Sequence, residues 1–493
     1  MIDPYILTGL IIFFAGVLIL SRTKAKRYFI IFLLETRHGL RFVDKFAQIS
    51  PTLWKFLGDF AIVVSFGGFG AYYVSRYRNT WRITGLLGSG CVILTYLNFG
   101  LVPSVAGFLV LIAGVILLRK IEKPFFHLLA AAIVIGFVMF NIYPTFSDLE
   151  LLKPYISILV GIFGVPALLV SLLFSHAFKI TVGQSQIPGV SPLLPGIGEE
   201  GFGFFFPGTG IFIPFWQALI AIICLLVPHE FAHGVLTRCH KIKLKSAGIL
   251  TVGPIPIGAF VEPDQKEMEK HEGKARMRIY AAGSFTNLIV SVIALLLIAL
   301  VMAPMVNTIT EPTGMMITNV INGTPAHGVL ERGFVIKEIN SMQTLDIEFF
   351  QSAVSDLRPG QTTTLLTTNG TFSLTLVEHP SNSSKGYMGI DLQEKFEIKD
   401  EFRGEYRMQA DVILFVAPTL FWVFFLSFNI ALVNLLPVIP FDGGKMFEEF
   451  MQEFGISKKR KNMLLKIVIA IILMLLLVNA LPLLYLLLNM IGA

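Results

Sequence analysis

The chain has 493 residues, of which 54% are hydrophobic and only 15% charged, a balance far from that of a soluble globular protein and suited to a bilayer. Its formal net charge of +6 sits mainly in short loops and clusters beside apolar runs, so membrane topology rather than nucleic-acid binding explains it. Three cysteines, Cys91, Cys224 and Cys239, lie in or beside those runs without the paired spacing of a disulfide framework or zinc ribbon, and read as packing residues.

Runs near the roughly 20 apolar residues that a spanning helix needs occur at about Tyr5–Leu20, Trp54–Val74, Thr84–Leu118, Phe125–Tyr143, Tyr155–Phe174, Phe215–Leu236, Ile279–Met302, Val412–Leu436 and Ile467–Leu488. The first opens after Asp3 with no basic region before it, which suits a retained helix better than a cleaved signal. The Thr84 run is long enough for two short spans turning near Pro103, so nine to ten spans are expected. Between the first two runs, Arg37 to Lys55 mixes charges and phenylalanines in the manner of an amphipathic surface helix. Residues 183–210 form a Pro/Gly-rich loop near the outer mouth. Basic clusters Arg238–Lys245, Lys274–Arg278 and Lys458–Lys466 place the corresponding loops on the cytoplasmic face. Arg76–Arg82 and Arg119–Lys123 cannot join them there unless some apolar run is re-entrant or interfacial.

Within the Phe215 run stands "LLVPHEFAHGVL", residues 225–236. His229 and His233 are four apart, so on a helix they project one turn apart from one face, which suits two imidazoles on one Zn²⁺. Glu230, following the first of them, is placed to act as general base on the metal's water. Ionisable residues at membrane depth are costly and point to function. A hydrolytic zinc keeps three protein ligands and leaves the fourth position to water. An HExxHxxGxxH extension fails, because Leu236 and Cys239 stand where Gly and His are needed and His240 is out of register. Glu262, in a Pro-flanked stretch, is one candidate third ligand. Asp442 in "NLLPVIPFDGGK" (434–445) is the better one: it follows some thirty residues without a carboxylate, in an irregular backbone tolerated at membrane depth only where protein buries it or water reaches it. The stretch Gly248–Asp264 is too broken by Gly and Pro to be a helix.

From about Thr310 to Phe402 the pattern changes to short alternating strands with Gly and Asn turns, a soluble insert of about 90 residues. Its Gly314–Thr344 stretch resembles a PDZ domain, although Phe334 stands where Asp usually follows the Gly; such domains take extended peptides at a sheet edge.

HExxH in an apolar helix, a PDZ-like insert and a downstream NxxPxxxxDG together resemble the site-2 protease family of intramembrane zinc metalloproteases, over about Phe215 to Gly444. The resemblance implies that His229, His233 and Asp442 ligate one Zn²⁺ per chain, that Glu230 is the catalytic base, and that Asn434 contacts the substrate backbone. It also implies that Gly248–Asp264 is a hairpin dipping into the membrane beside the site. "AAGSFTN", with Gly283 and Asn287, matches a further family element and makes Asn287 a candidate substrate contact, or part of a small-residue helix contact. The expected protein is thus an α-helical polytopic membrane protein with an inserted β-rich PDZ-like domain. It divides into an N-terminal extension (1–210), a core with HExxH and hairpin (211–305), the extracytoplasmic insert (310–402) and a C-terminal core (408–493). Its expected work is hydrolysis of transmembrane segments of other proteins, from the cell membrane, with the site toward the cytoplasm; expected partners are those helices, a peptide or substrate ectodomain at the insert, and the bilayer. A metal-ion transporter lined by the same His, Glu and Asp is the alternative, but no internal repeat supports it; a silent scaffold is the other, and the intact HExxH argues against it.

Overall fold

In a computed structural model that describes residues 4–23, 25–142, 152–198, 201–380 and 382–491, seven helices are long and apolar enough to cross a membrane. The nine to ten apolar runs do not all become such helices, and the reasons are local. The Thr84–Leu118 run breaks at Gly100 (φ 82°), three residues before Pro103. The Tyr155–Phe174 run breaks at Gly164 (φ 71°). Tyr143, the expected end of a third run, lies outside the described residues.

The chain opens with α1 (Pro4–Ser21), strands β1 (Lys26–Tyr28) and β2 (Ile31–Glu35), and α2 (Arg37–Ile49). Thr36 caps α2 by accepting from the His38 N–H, and α2 buries Val43 and Ala47. Ser50 then caps α3 (Pro51–Ser75), with Pro51 in the first turn, where its missing N–H costs nothing. Although α3 has the length of a span, Phe66 and Gly67 leave helical geometry and the chain doubles back. Arg78 Nη1 consequently donates to Asp59 Oδ2 at 2.8 Å across 19 residues, a separation that a straight helix would stretch to about 28 Å. A β-carbon on Gly70 would overlap the Ile62 carbonyl, so the two limbs pack backbone to backbone. The turn back at Phe66 and Gly67 also bears on where the basic clusters lie. Helices α4 (Trp81–Phe99) and α5 (Leu101–Lys120) pack as a pair, and Asn79 Nδ2 donates to the Leu118 and Arg119 carbonyls at 3.3 and 3.2 Å. The Arg76–Arg82 and Arg119–Lys123 clusters therefore adjoin.

After α6 (Pro124–Ile142), α7 (Lys153–Phe163) and α8 (Val165–Thr181) comes an antiparallel meander, β3 (Leu194–Gly198), β4 (Gly201–Phe206) and β5 (Ile211–Pro214), where a loop was expected. It runs directly into α9 (Phe215–Cys239), which carries both histidines. Strands β6 (Leu244–Val252) and β7 (Ile255–Pro263) form the hairpin, turning at Gly253 (φ 56°). The sheet has four strands, in the order β1-β2-β6-β7, because Ile31–Glu35 pairs with 248–252 across more than two hundred residues. Helices α10 (Gln265–Met268) and α11 (Gly273–Leu297) follow. One core packs Ala61, Ile62 and Phe66 of α3 against Met277, Ala281 and Phe285 of α11; another packs α2 on Val235 and Leu236 of α9. These elements, with Thr419–Ala493, make one compact unit.

The second unit, Leu296–Pro418, contains α12 (Ala303–Ile309), β8 (Thr310–Val320), β9 (Val335–Ile339), β10 (Met342–Gln343), α13 (Ile347–Val354), β11 (Thr362–Thr367), β12 (Gly370–Thr375), β13 (Val377–His379), β14 (Asn382–Tyr387) and β15 (Ile390–Ile398). Its main sheet runs β12-β11-β9-β8-β15, with β10 on β9. Strict alternation in β11 turns Thr363, Leu365 and Thr367 inward, onto a core with Met315, Ile317, Ile336 and Ile339. From this unit α14 (Arg407–Asn434) leads back to the first, where α15 (Asp442–Glu453) and α16 (Lys458–Ile491) complete the chain.

Candidate metal centre

On α9 the His229 and His233 rings face the same way, their Nε2 atoms 3.1 Å apart. Asp442 Oδ2 lies 3.5 Å from the first and 3.1 Å from the second. Metal–ligand bonds of about 2.0–2.2 Å at tetrahedral angles put neighbouring ligand atoms about 3.3–3.6 Å apart, so the triangle has nearly the edge lengths of one face of a zinc site. Among the described residues this trio is the one group of His, Cys, Asp and Glu side chains able to hold a metal ion.

Asp442 gets there because α14 stops at Asn434 and the proline-rich turn that follows folds under the start of α15. Gly443 and Gly444 make that fold possible: a β-carbon on either would overlap the backbone of Leu435 or Val438. The carboxylate is buried. Its second oxygen, Oδ1, accepts from Lys445 Nζ at 3.1 Å, which leaves Oδ2 for the histidines.

A face of α11 backs the site. His233 Nδ1 donates to the Ile279 carbonyl at 2.7 Å, fixing the tautomer whose Nε2 lone pair points at Asp442. His229 Nδ1 lies 3.2 Å from the Asn287 amide; with the ring proton on Nδ1, Asn287 turns its carbonyl oxygen to it, the two ends of the amide being interchangeable in shape. Asn287 has no accessible surface. Asn287, expected as a candidate substrate contact or part of a helix contact, stands in this structure behind His229, with its amide beside the ring. Gly283 lies between these two, and a β-carbon there would come within 2.5 Å of His229 Nε2 and also overlap His233 Nε2. Gly283 thus keeps a side chain out of the space beside the two ligating ring nitrogens.

Glu230 is not part of the trio. Its Oε2 accepts from the Val261 N–H of β7 at 3.1 Å, and it lines, with His229, His233, Asp442, Asn434 and Tyr280, a cavity of about 380 Å³. Asn434 is thus in the cavity wall. Glu262 accepts from Ser246 Oγ at 2.9 Å and stands outside the trio. His240, just past the end of α9, is turned toward a basic cluster; burial, with Arg278 and Lys55, pushes its pKa down to about 3.

The Peptidase family M50 model matches residues 217–478, slightly more than half of the chain. The chain belongs to peptidase family M50. It is also 28% identical over 305 residues to an uncharacterized protein of Methanocaldococcus jannaschii, covering 62% of this chain and 73% of that protein. M50, the site-2 protease family, comprises membrane metallopeptidases, so this chain is an integral membrane protein of a metallopeptidase family. The M50 match takes in the trio, Glu230, β6–β7 and α11, and leaves out β1, β2, α2 and α3.

Two ion pairs that the sequence reading passed over anchor α11, one to α3 outside the M50 match and one to α15 within it. Arg278 of α11 makes a two-pronged pair with Asp59 of α3 at 2.6 and 2.9 Å, and Tyr77 also donates to that carboxylate. Arg276 of α11 pairs in the same way with Glu449 of α15 at 2.8 and 2.6 Å. The helix that orients both histidines is thereby fastened to the helix that opens with Asp442. A signal existed: Asp59 is the one acid in the Trp54–Val74 run.

Proposed function

We propose that the protein is a zinc endopeptidase that hydrolyses peptide bonds in transmembrane segments of other membrane proteins. The observation that carries this is the approach of Asp442 to within 3.1–3.5 Å of both histidines beside a carboxylate, Glu230, that is held apart from them by a backbone N–H. Zinc held by His229, His233 and Asp442 supplies a Lewis acid at the scissile carbonyl. Glu230 takes the proton from the attacking water and gives it to the leaving amine. Ile279 and Asn287 hold the imidazoles in their ligating tautomer throughout.

A transmembrane helix hides its carbonyls in its own hydrogen bonds, so a substrate must unwind before it can react. Strand β7 supplies a place for the unwound segment. It pairs with β6 on one side only, and the Val261 N–H that reaches Glu230 marks its other edge as the one beside the site. An added strand there satisfies its own backbone groups at the position of attack. Asn434, in the cavity wall, holds the substrate backbone. The β-rich unit, PDZ-like by its Gly314–Thr344 stretch, takes an extended peptide or a substrate ectodomain, and the basic clusters set the site toward the cytoplasmic side of the cell membrane.

The test is Glu230→Gln in the full-length protein in detergent or liposomes. Zinc content should stay at one per chain while cleavage of a transmembrane substrate falls by roughly 10²–10⁴-fold, the usual contribution of a general base. Parallel loss of zinc and cleavage would put Glu230 among the ligands and refute the mechanism.

A further inference from the structure

A second groove in the first unit shares no residue with the metal centre's cavity. It has a volume of about 1020 Å³ and lies between the start of α3, the first half of α4 and the second half of α5. That is the upper limit of small-molecule sites, about 300–1,000 Å³. Its two ends differ in chemistry. Ser50, Thr52, Arg78 and Arg82 line one end; Leu86, Phe108, Leu111 and Ile112 line the other.

The polar end carries charge without a counter-charge. Arg82 lines that end, and Arg119, which is not itself in the groove wall, shares the lining Trp81 ring with it: the two guanidiniums sit 5.1 and 5.8 Å from the ring centre. Among the described residues neither has a carboxylate partner, whereas Arg78 beside them is taken by Asp59. The carbonyls that end α5 do not supply the missing negative charge, because Asn79 caps those of Leu118, Arg119 and Ile121.

The apolar end is kept open by a glycine that helix packing does not demand. A β-carbon on Gly88 would collide with Leu111, so Gly88 serves the α4–α5 crossing. A β-carbon on Gly85 would meet only Val115 at 3.4 Å, an ordinary contact. Glycine inside a helix costs about 1 kcal/mol relative to alanine, and here what it gives in return is room. From Arg82 to Ser89 the groove follows α4 for about 10 Å at 1.5 Å per residue.

We propose that this groove binds one anionic phospholipid of the surrounding bilayer, its phosphate between Arg82 and Arg119 and an acyl chain lying over Gly85 against Leu111 and Ile112. Charge complementarity selects the headgroup, and the apolar wall requires the chain.

The test is native mass spectrometry of the full-length protein released from micelles containing equal amounts of phosphatidylglycerol and phosphatidylcholine. The wild-type chain should retain one phosphatidylglycerol in preference to phosphatidylcholine. Arg82→Gln with Arg119→Gln should weaken that retention about 30-fold, the loss expected of two basic residues beside an anionic headgroup. Arg82→Lys with Arg119→Lys, which keeps both charges, should retain most of it. Gly85→Leu should displace the lipid with both arginines in place, and excess inorganic phosphate should not displace it from the wild type. Variants are compared only where their melting temperatures match the wild type, and the arginine pair alone suffices to decide. No headgroup preference in the wild type, equal retention by the glutamine double variant, or displacement by free phosphate would overturn the proposal.

Discussion

Replacing Gly283 by alanine separates folding from metal binding in a way few substitutions at this site could. Helix propensity favours the change by about 1 kcal/mol, so nothing in the local backbone resists it. The added methyl, however, would lie 2.5 Å from His229 Nε2 and 2.6 Å from its Cε1, and would overlap His233 Nε2 as well. To restore ordinary contact at 3.4 Å, the His229 ring must retreat by about 0.9 Å, several times the roughly 0.2 Å tolerance of a metal–ligand distance. The His233 ring cannot follow freely, because its Nδ1 is fixed on Ile279. Zinc affinity, measured by competition with a chromophoric chelator on the full-length protein in detergent, should fall by at least about 10²-fold, on the scale of a 1 Å misplacement. Thermal stability with chelator present should change little, because the gain in helix propensity offsets much of an overpacking cost of about 1–3 kcal/mol. Co²⁺ substitution gives a second readout, since the tetrahedral absorption of the wild-type site should be lost. A Gly283→Ala protein that binds zinc with unchanged affinity and shows the same Co²⁺ spectrum would refute the assignment of the metal to this volume.

Asp442→Asn should weaken zinc binding, because a neutral amide offsets less of the metal's charge, whereas Glu262→Gln, outside the trio, should leave it unchanged; the reverse order in a chelator titration would exchange the two residues' roles. Asp59→Asn removes a fully buried carboxylate from under Arg278 and Arg78, and should cost about 3–5 kcal/mol in detergent unfolding; an unaltered unfolding curve would show that α3 does not brace α11. A cysteine at Ser383 should react with a membrane-impermeant thiol reagent in intact cells and one at Lys459 should not, and the opposite labelling would invert the orientation argued from the basic clusters.

What could be read from the sequence was whatever short-range spacing controls. A spacing of four from His229 to His233 put two ring nitrogens on one helical face, and the alternation of β11 turned Thr363, Leu365 and Thr367 inward. Glycine and proline in Gly248–Asp264 excluded a helix there, though not the two further strands that join its sheet, since pairing Ile31–Glu35 with 248–252 depends on contacts no local pattern records. The doubling back of α3 was equally hidden: twenty apolar residues look like a span, and only Asp59 reaching Arg78 shows that they are not a straight one. Asn287 had no single reading, because a buried amide that orients a ring and one that touches a ligand look the same in a string of letters.

The company that β6 keeps has a consequence for how the protein handles loose chain. With β2 laid along one side of β6 and β7 along the other, a melted helix arriving from the membrane finds no vacancy between them. The far margin of the sheet is β1, three residues long, too short to template a stable partner. If substrate segments dock on this sheet as proposed, capture would be one-sided, and each docked segment would lie beside Glu230. A chain lacking residues 26–35 would gain a second landing strip along β6, where bound segments would wait out of reach of attack, and its turnover would suffer self-competition that rises with substrate.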